Sequence, residues 1–172
     1  MTMGTDLFRA GMRKLAGAVN IITTVDASGQ RCGITATAVC SLSVEPPSLI
    51  ACVNRATSVG TVIPTSRIFC VNVLSHDQQS IADTFAGRSG LARDERFTAG
   101  HWSVLSTGAP ALDDARVSFD CELVETTEYA THMILVGRVV LTRLGTDLLP
   151  PLVYGDGAYL AALDPRAHAA AN

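Results

Sequence analysis

Aromatic residues are scarce in this chain. Phe, Trp and Tyr make up 5% of its 172 residues, and Trp102 is the single tryptophan, so the core must be largely aliphatic. Charge is thin as well: 17% of residues are charged and 48% hydrophobic, the composition of a well-packed globular domain with part of its surface covered by another subunit. At 172 residues the chain makes one domain, which buries about two thirds of its unfolded surface. The formal net charge of −3 comes with no Lys/Arg cluster and no interleaved aromatics, which excludes the electrostatic footprint that nucleic acid or an anionic membrane requires. Long apolar runs are missing too. Arg9, Arg13 and Lys14 interrupt any signal-peptide pattern, and residues 133–141 are broken by Arg138 and too short to cross a bilayer. A cytoplasmic protein without membrane attachment is expected.

Several chemistries are absent. The five cysteines, Cys32, Cys40, Cys52, Cys70 and Cys121, form no C-x-x-C pair, so all are expected to be buried free thiols rather than a disulfide framework or a zinc knuckle. No G-x-G-x-x-G, G-x-x-x-x-G-K-[ST] or G-x-S-x-G motif occurs, and the four histidines lack metal-ligand spacing. These gaps argue against a glycine-rich phosphate loop, a hydrolase elbow and a metalloenzyme.

What is present reads mostly as strand. Leu7, Phe8, Met12 and Leu15 recur at helical spacing, with Asp6 as N-cap and Gly17 as stop. The period then changes. "AVNIITTVD", the turn "ASGQ" and "RCGITATAVCSLS" predict a hairpin over 18–43. Strands follow at 48–54 and 67–74, with one or two helical turns over 57–63 before Pro64. Ser75 and Gln78 form a capping-box pattern for a helix to about Ala86. Residues 88–116 read as a long loop with one helical turn. Extended segments over 117–127 and 131–144 and a short strand around Tyr154 complete the core, and 164–172 read as a disordered tail. Six or so strands with hairpin connections and few helices predict an antiparallel barrel rather than an alternating βα sheet.

Two stretches carry chemistry. "GITATAVCSLS" (33–43) is extended yet fills little volume, as expected of a wall against which something flat lies. In "CVNRATSVGT" (52–61), Asn54, Arg55, Thr57, Ser58 and Thr61 place a cation and hydroxyls before a helical turn. Such a cluster is either an ordinary cap or a phosphate site.

The segments "AVNIITT", "CGITATAVCSLSVEPPSL", "CVN", "FCVNVLSHDQ" and "ADTFAG…DERF" resemble the flavin reductase family, over about residues 8–159. The similarity is greatest to reductase components of two-component flavin-dependent monooxygenases, such as the 4-hydroxyphenylacetate 3-monooxygenase system. The uracil-catabolism flavin reductase resembles it at "CVNRATSV" and "VSFDC". The resemblance implies an FMN-binding split barrel of Greek-key type and a homodimer. It also implies hydride transfer from NADH or NADPH to FMN or FAD, with reduced flavin diffusing to a separate oxygenase. Thr35, Ala36, Thr37 and Ala38 would lie along the isoalloxazine, with Cys40 and Ser41 adjoining. Asn54, Arg55, Thr57 and Ser58 would hold the ribityl and phosphate, and Phe85, Ala86, Gly87 and Arg88 would close over the ring. Where this chain has Thr37 and Ala38 many relatives carry Ser or Asn, so backbone contacts are expected there. His132 matches a histidine beside the nicotinamide site; the alternative is a hydrogen-bonded histidine at a strand end. Tyr154 and Tyr159 read as anchors of the last strand, with a place at the pocket edge as the alternative, and Trp102 as packing of the loop over the barrel. A corrinoid reductase and a non-catalytic flavin-binding protein are the rival readings.

Overall fold

The computed structural model describes residues 4–146 and 149–161. In chain order the elements are α1 (Thr5–Arg13), β1 (Gly17–Ala18), β2 (Asn20–Val25), β3 (Arg31–Ala36), β4 (Val39–Val44), β5 (Pro47–Asn54), α2 (Ser58–Ser66) and β6 (Ile68–Val73). There follow α3 (Gln79–Phe85), β7 (Trp102–Val104), β8 (Pro110–Leu112), β9 (Val117–Tyr129), β10 (His132–Leu144), β11 (Leu152–Gly155) and β12 (Ala158–Ala161). The fold is mainly β, with antiparallel pairing throughout and peripheral helices, as the strand-rich sequence predicts.

Seven strands form one sheet in the order β3-β2-β6-β9-β10-β5-β4. Its two edge strands, β3 and β4, are neighbours in sequence, joined by Thr37 and Ala38 alone. Two residues of extended chain span roughly 7 Å, so the sheet must curl until its opposite edges adjoin at this corner. The single strand expected over 31–43 is therefore two. The chain leaves the ladder of β2 after Ala36 and enters that of β5 at Val39, with no change in residue character to mark the exchange.

Alternation along β2 feeds two cores. Ile22 packs with Leu49, Val53, Val59, Ile63, Phe69, Met133 and Leu135 inside the curl. Ile21 points the other way, with Val19, Leu74, Ile81, Phe85, Phe97 and Leu112. The β9–β10 hairpin is the long spine, its turn at Ala130 in the left-handed region with φ 50°. A second sheet, β1-β11-β12, and the small hairpin β7–β8 flank the main one.

Several local expectations are corrected. Asp6 lies in the first turn of α1 rather than capping it; Gly4 is the N-cap, and the helix ends at Arg13, before Gly17. Helix α2 runs through Pro64 to Ser66. Gln78 accepts from the Ser75 N–H at 3.0 Å as the capping pattern predicts, but its residues form a 3-10 turn that precedes α3. The 88–116 loop holds a 3-10 turn at Glu95–Thr98 and also β7–β8, where Trp102 is a strand residue. Cys32, Cys70 and Cys121 are buried, but Cys40 is exposed and Cys52 half-buried. Both face outward, because Cys40 pairs with Ile50 while the inward residues of β5 are Leu49, Ala51 and Val53. The 164–172 tail and His168 lie outside the described residues.

Candidate functional site

The end of β5 and the start of β10 meet in register, and this places His132 directly opposite Asn54. The junction is tied several times. The Arg55 N–H donates to the Thr131 carbonyl at 3.0 Å, and the Arg55 guanidinium pairs with Glu128 at 2.8 Å and reaches the Ala130 carbonyl at 3.4 Å. Asn54 Oδ1 accepts from the Ala56 N–H at 2.9 Å. Thr57 donates its hydroxyl proton to the Asn54 carbonyl at 2.7 Å and accepts from the Gly60 N–H at 3.1 Å. That hydroxyl is committed to capping α2. Ser58, first residue of the helix, remains half-buried beside the unpaired N–H groups of its first turn, where a helix favours an anion. Arg93 comes to the same place. It pairs with Asp26 at 3.1 Å, and burial pushes up the pKa of the nearby Cys32 thiol, with the Arg93 charge and Ser58 opposing that shift. Arg93 Nε is buried with no partner among the described residues.

Gly60 fixes this corner. A Cβ there would stand 2.4 Å from the Asn54 carbonyl oxygen and 3.0 Å from Arg55 Cα, and both are backbone atoms that cannot turn aside. Gly60→Ala is expected to cost about 1–3 kcal/mol and to lower Tm by roughly 3–10 °C. Thermal unfolding checks this, and a Tm within about 1 °C of the parent contradicts the close packing.

A cleft of about 180 Å³ opens at the end of β3. Thr35, Ala36 and Thr37 form one wall, and Ala86, Arg88, Tyr154 and Tyr159 face them, with Val19 below. Thr37 and Tyr154 also border a second hollow of about 320 Å³ under Phe8, Arg9, Met12 and Arg13. Thr35 commits its hydroxyl to the Ala82 carbonyl at 2.6 Å, which fixes the wall to α3 and leaves backbone and methyl surface for a ligand. Asp83 carries the far side: its Oδ1 accepts from Arg88 at 2.6 Å and from the Tyr159 hydroxyl at 3.0 Å. Burial and then the Asp83 carboxylate push the Tyr159 phenol up to about 12, so it stays a neutral donor at ordinary pH. Tyr154 and Tyr159 meet edge to face at 5.4 Å.

The structure sorts the candidate residues. Thr35, Ala36, Thr37, Ala86 and Arg88 are brought together around the cleft. Gly87, with φ 80°, turns the chain between the last two. Phe85 is buried, stacked against Phe97 at 5.1 Å and Trp102 at 5.3 Å, and anchors the loop from below. The volume above Gly33 belongs to that ring, since a Cβ at 33 would come within 2.7 Å of it. The small residues of this strand therefore have two causes: Phe85 at Gly33, and the open cleft at Ala36 and Thr37. Ala38, Cys40 and Ser41 stand beyond the cleft on the exposed side of the corner. The Asn54 group is a second centre, joined to the first where the Cys52 N–H binds the Ala38 carbonyl at 2.9 Å, two residues or roughly 7 Å along β5 from Asn54. Tyr154 and Tyr159 are cleft walls as well as strand anchors. Both readings that the sequence offers for them therefore hold, wall and anchor alike.

A curled antiparallel sheet with a small-residue cleft at its open corner and an anion-ready helix start beside it has room for a flat, anionic cofactor. The description "Flavin reductase like domain" matches residues 12–162, and the chain belongs to the flavin reductase family. It is 42% identical over 152 residues to "FMN reductase (NADH) RutF" of Variovorax paradoxus, covering 88% of this chain and 82% of that protein. To the protein of the same name from Bradyrhizobium diazoefficiens it is 43% identical over 154 residues, with coverages of 88% and 82%. Among solved structures it resembles the flavin reductase domain protein from Arthrobacter sp. FB24, with TM-score 0.83, 30% identity, and 94% and 97% of the two chains covered. It also resembles BorF, the flavin reductase component of a bacterial two-component tryptophan halogenase, with TM-score 0.84, 28% identity, and coverages of 94% and 99%.

Proposed function

We propose that this protein is an NADH-dependent flavin reductase that reduces FMN and supplies reduced flavin to a partner monooxygenase. The observation that carries this reading is the cleft walled by Thr35, Ala36 and Thr37 within a chain of the flavin reductase family. The residues present fit the cofactor. Small side chains leave room for a flat ring, and the first-turn N–H groups of α2 at Ser58 suit a phosphate, as does the buried, unpartnered Arg93 Nε. Bound flavin supplies the hydride acceptor, so no acid–base side chain is required.

The chain's own work is to bind, align and shield. Backbone along Thr35, Ala36, Thr37 and Ala38 meets the ring, with Cys40 and Ser41 flanking it. Asn54, Arg55 and Ser58 hold the ribityl and phosphate, with Thr57 keeping α2 in place. The loop of Ala86, Gly87 and Arg88, seated on Phe85, covers one side. His132, opposite Asn54, would orient the nicotinamide carboxamide for hydride transfer to the flavin.

In this reading the curled sheet is a split barrel, residues 8–160 form one domain, and the protein works in the cytoplasm as a homodimer. Exposed apolar side chains support the dimer: Leu7, Phe8 and Met12 on α1, Leu15 just after it, and Leu42 and Val44 on β4. The test is direct. Purified protein mixed with NADH and excess FMN is expected to consume NADH well above the protein-free rate. Oxidation no faster than that baseline would leave only flavin binding.

A further inference from the structure

We propose that Asp83, Tyr154 and Tyr159 are positioning residues that hold the Arg88 guanidinium against the bound flavin ring and so set flavin affinity. The inference rests on the flavin reductase reading and extends it to side chains outside the two motif stretches.

Arg88 is a long, exposed side chain on a loop, with 55% of its side-chain surface accessible. Left alone it would sample many rotamers and offer a ligand no fixed charge. Its contacts prevent this. Asp83 Oδ1 accepts from Arg88 Nη1 at 2.6 Å, and the Arg88 N–H donates to the Asp83 carbonyl at 3.0 Å. The guanidinium carbon stands 5.8 Å from the centre of the Tyr159 ring. Tyr154 packs edge to face on Tyr159 at 5.4 Å and holds that ring in place. Tyr159 donates its hydroxyl proton to the very oxygen that holds Arg88, which fixes the carboxylate's rotation.

Asp83 sits next to Ala82, whose carbonyl holds Thr35 on the opposite wall. The network therefore sets the separation of the walls as well as the aim of the cation. A guanidinium carries five N–H donors in a rigid fork, and Asp83 engages one. Arg88 lines the cleft, where a bound flavin's pyrimidine ring would present carbonyl acceptors and charge-assisted hydrogen bonds would favour binding. An ion pair this exposed adds little to folding, so its removal should register in binding.

Titration of the flavin-free protein with FMN, read by flavin fluorescence, tests this for Tyr159→Phe, Asp83→Asn, Arg88→Gln and the double variant Tyr159→Phe/Arg88→Gln. Arg88→Gln is expected to raise the Kd about tenfold and Tyr159→Phe or Asp83→Asn about three- to tenfold, from loss of a charge-assisted bond or its aim. The double variant should match Arg88→Gln within about twofold, since Tyr159 acts through Arg88. In turnover the loss should fall on KM for FMN more than on kcat. Additive losses in the double variant, or a Tyr159→Phe Kd equal to that of the parent, overturn the proposal. Should Asp83→Asn fail to fold, the Tyr159 and Arg88 variants alone complete the cycle. A parent protein that binds no FMN defeats the flavin reductase reading itself, whereas a parent that binds and flat variants defeat only the positioning role.

Discussion

Thr37→Trp is expected to lower FMN-dependent NADH oxidation by at least about a hundredfold, the scale on which small misplacements of reactants act. Thr37 is exposed at the corner where β3 hands over to β4, and it borders both the 180 Å³ cleft and the 320 Å³ hollow beyond. An indole there buries its apolar surface by folding into one of those spaces, and so presents a flat face where the isoalloxazine should lie. The same exposure protects folding. No buried neighbour is displaced, so the thermal midpoint should stay within about 2 °C of the parent, as is usual for surface substitutions. Intact folding with lost turnover and lost FMN binding is the expected pair of results. Retention of more than half the parent activity would mean that the ring binds elsewhere.

The second large effect is expected at His132. Its ring Nδ1 lies 2.9 Å from Thr131 Oγ1, and the rest of the imidazole is exposed on the strand end opposite Asn54. Removing it opens no core cavity. His132→Ala should therefore fold normally and bind FMN within about twofold of the parent, since no buried contact is lost. Its kcat/KM for NADH should fall roughly 10- to 100-fold, because the nicotinamide would lose the group that orients it. Equal losses for FMN and NADH would place the histidine in the flavin site instead. An unchanged kcat/KM for NADH would leave it as a hydrogen-bonded strand end.

Much of the architecture is legible in residue pattern. β2, β5, β6, β9 and β10 are rich in Val, Ile, Thr and Phe, with turn chemistry between them, and each forms where that pattern places it. The exchange at Thr37 and Ala38 is invisible because both strands share one character and apolar residues alternate through the sequence of the corner, although the inward side passes from Ala36 to Val39. Topology, not local preference, cuts them apart. The candidate site was legible where composition was odd, at 33–43 and 52–61. The structure refines its meaning: Gly33 makes room for Phe85, while Ala36 and Thr37 leave the cleft open. Tyr154 and Tyr159 were legible only as the lesser of two readings and Asp83 not at all, since they come from elements distant in sequence and only the packing of β11 and β12 beside α3 unites them. Arg93 escaped notice for a like reason, lying in a loop without periodicity.

The most direct test of the account is a crystal structure of the protein with FMN bound. The isoalloxazine is expected in the cleft between Thr35, Ala36 and Thr37 on one side and Arg88 and Tyr159 on the other, with the phosphate at the start of α2 near Ser58. A ring bound away from β3, or a cleft closed by the protein's own side chains while FMN sits elsewhere, would contradict it.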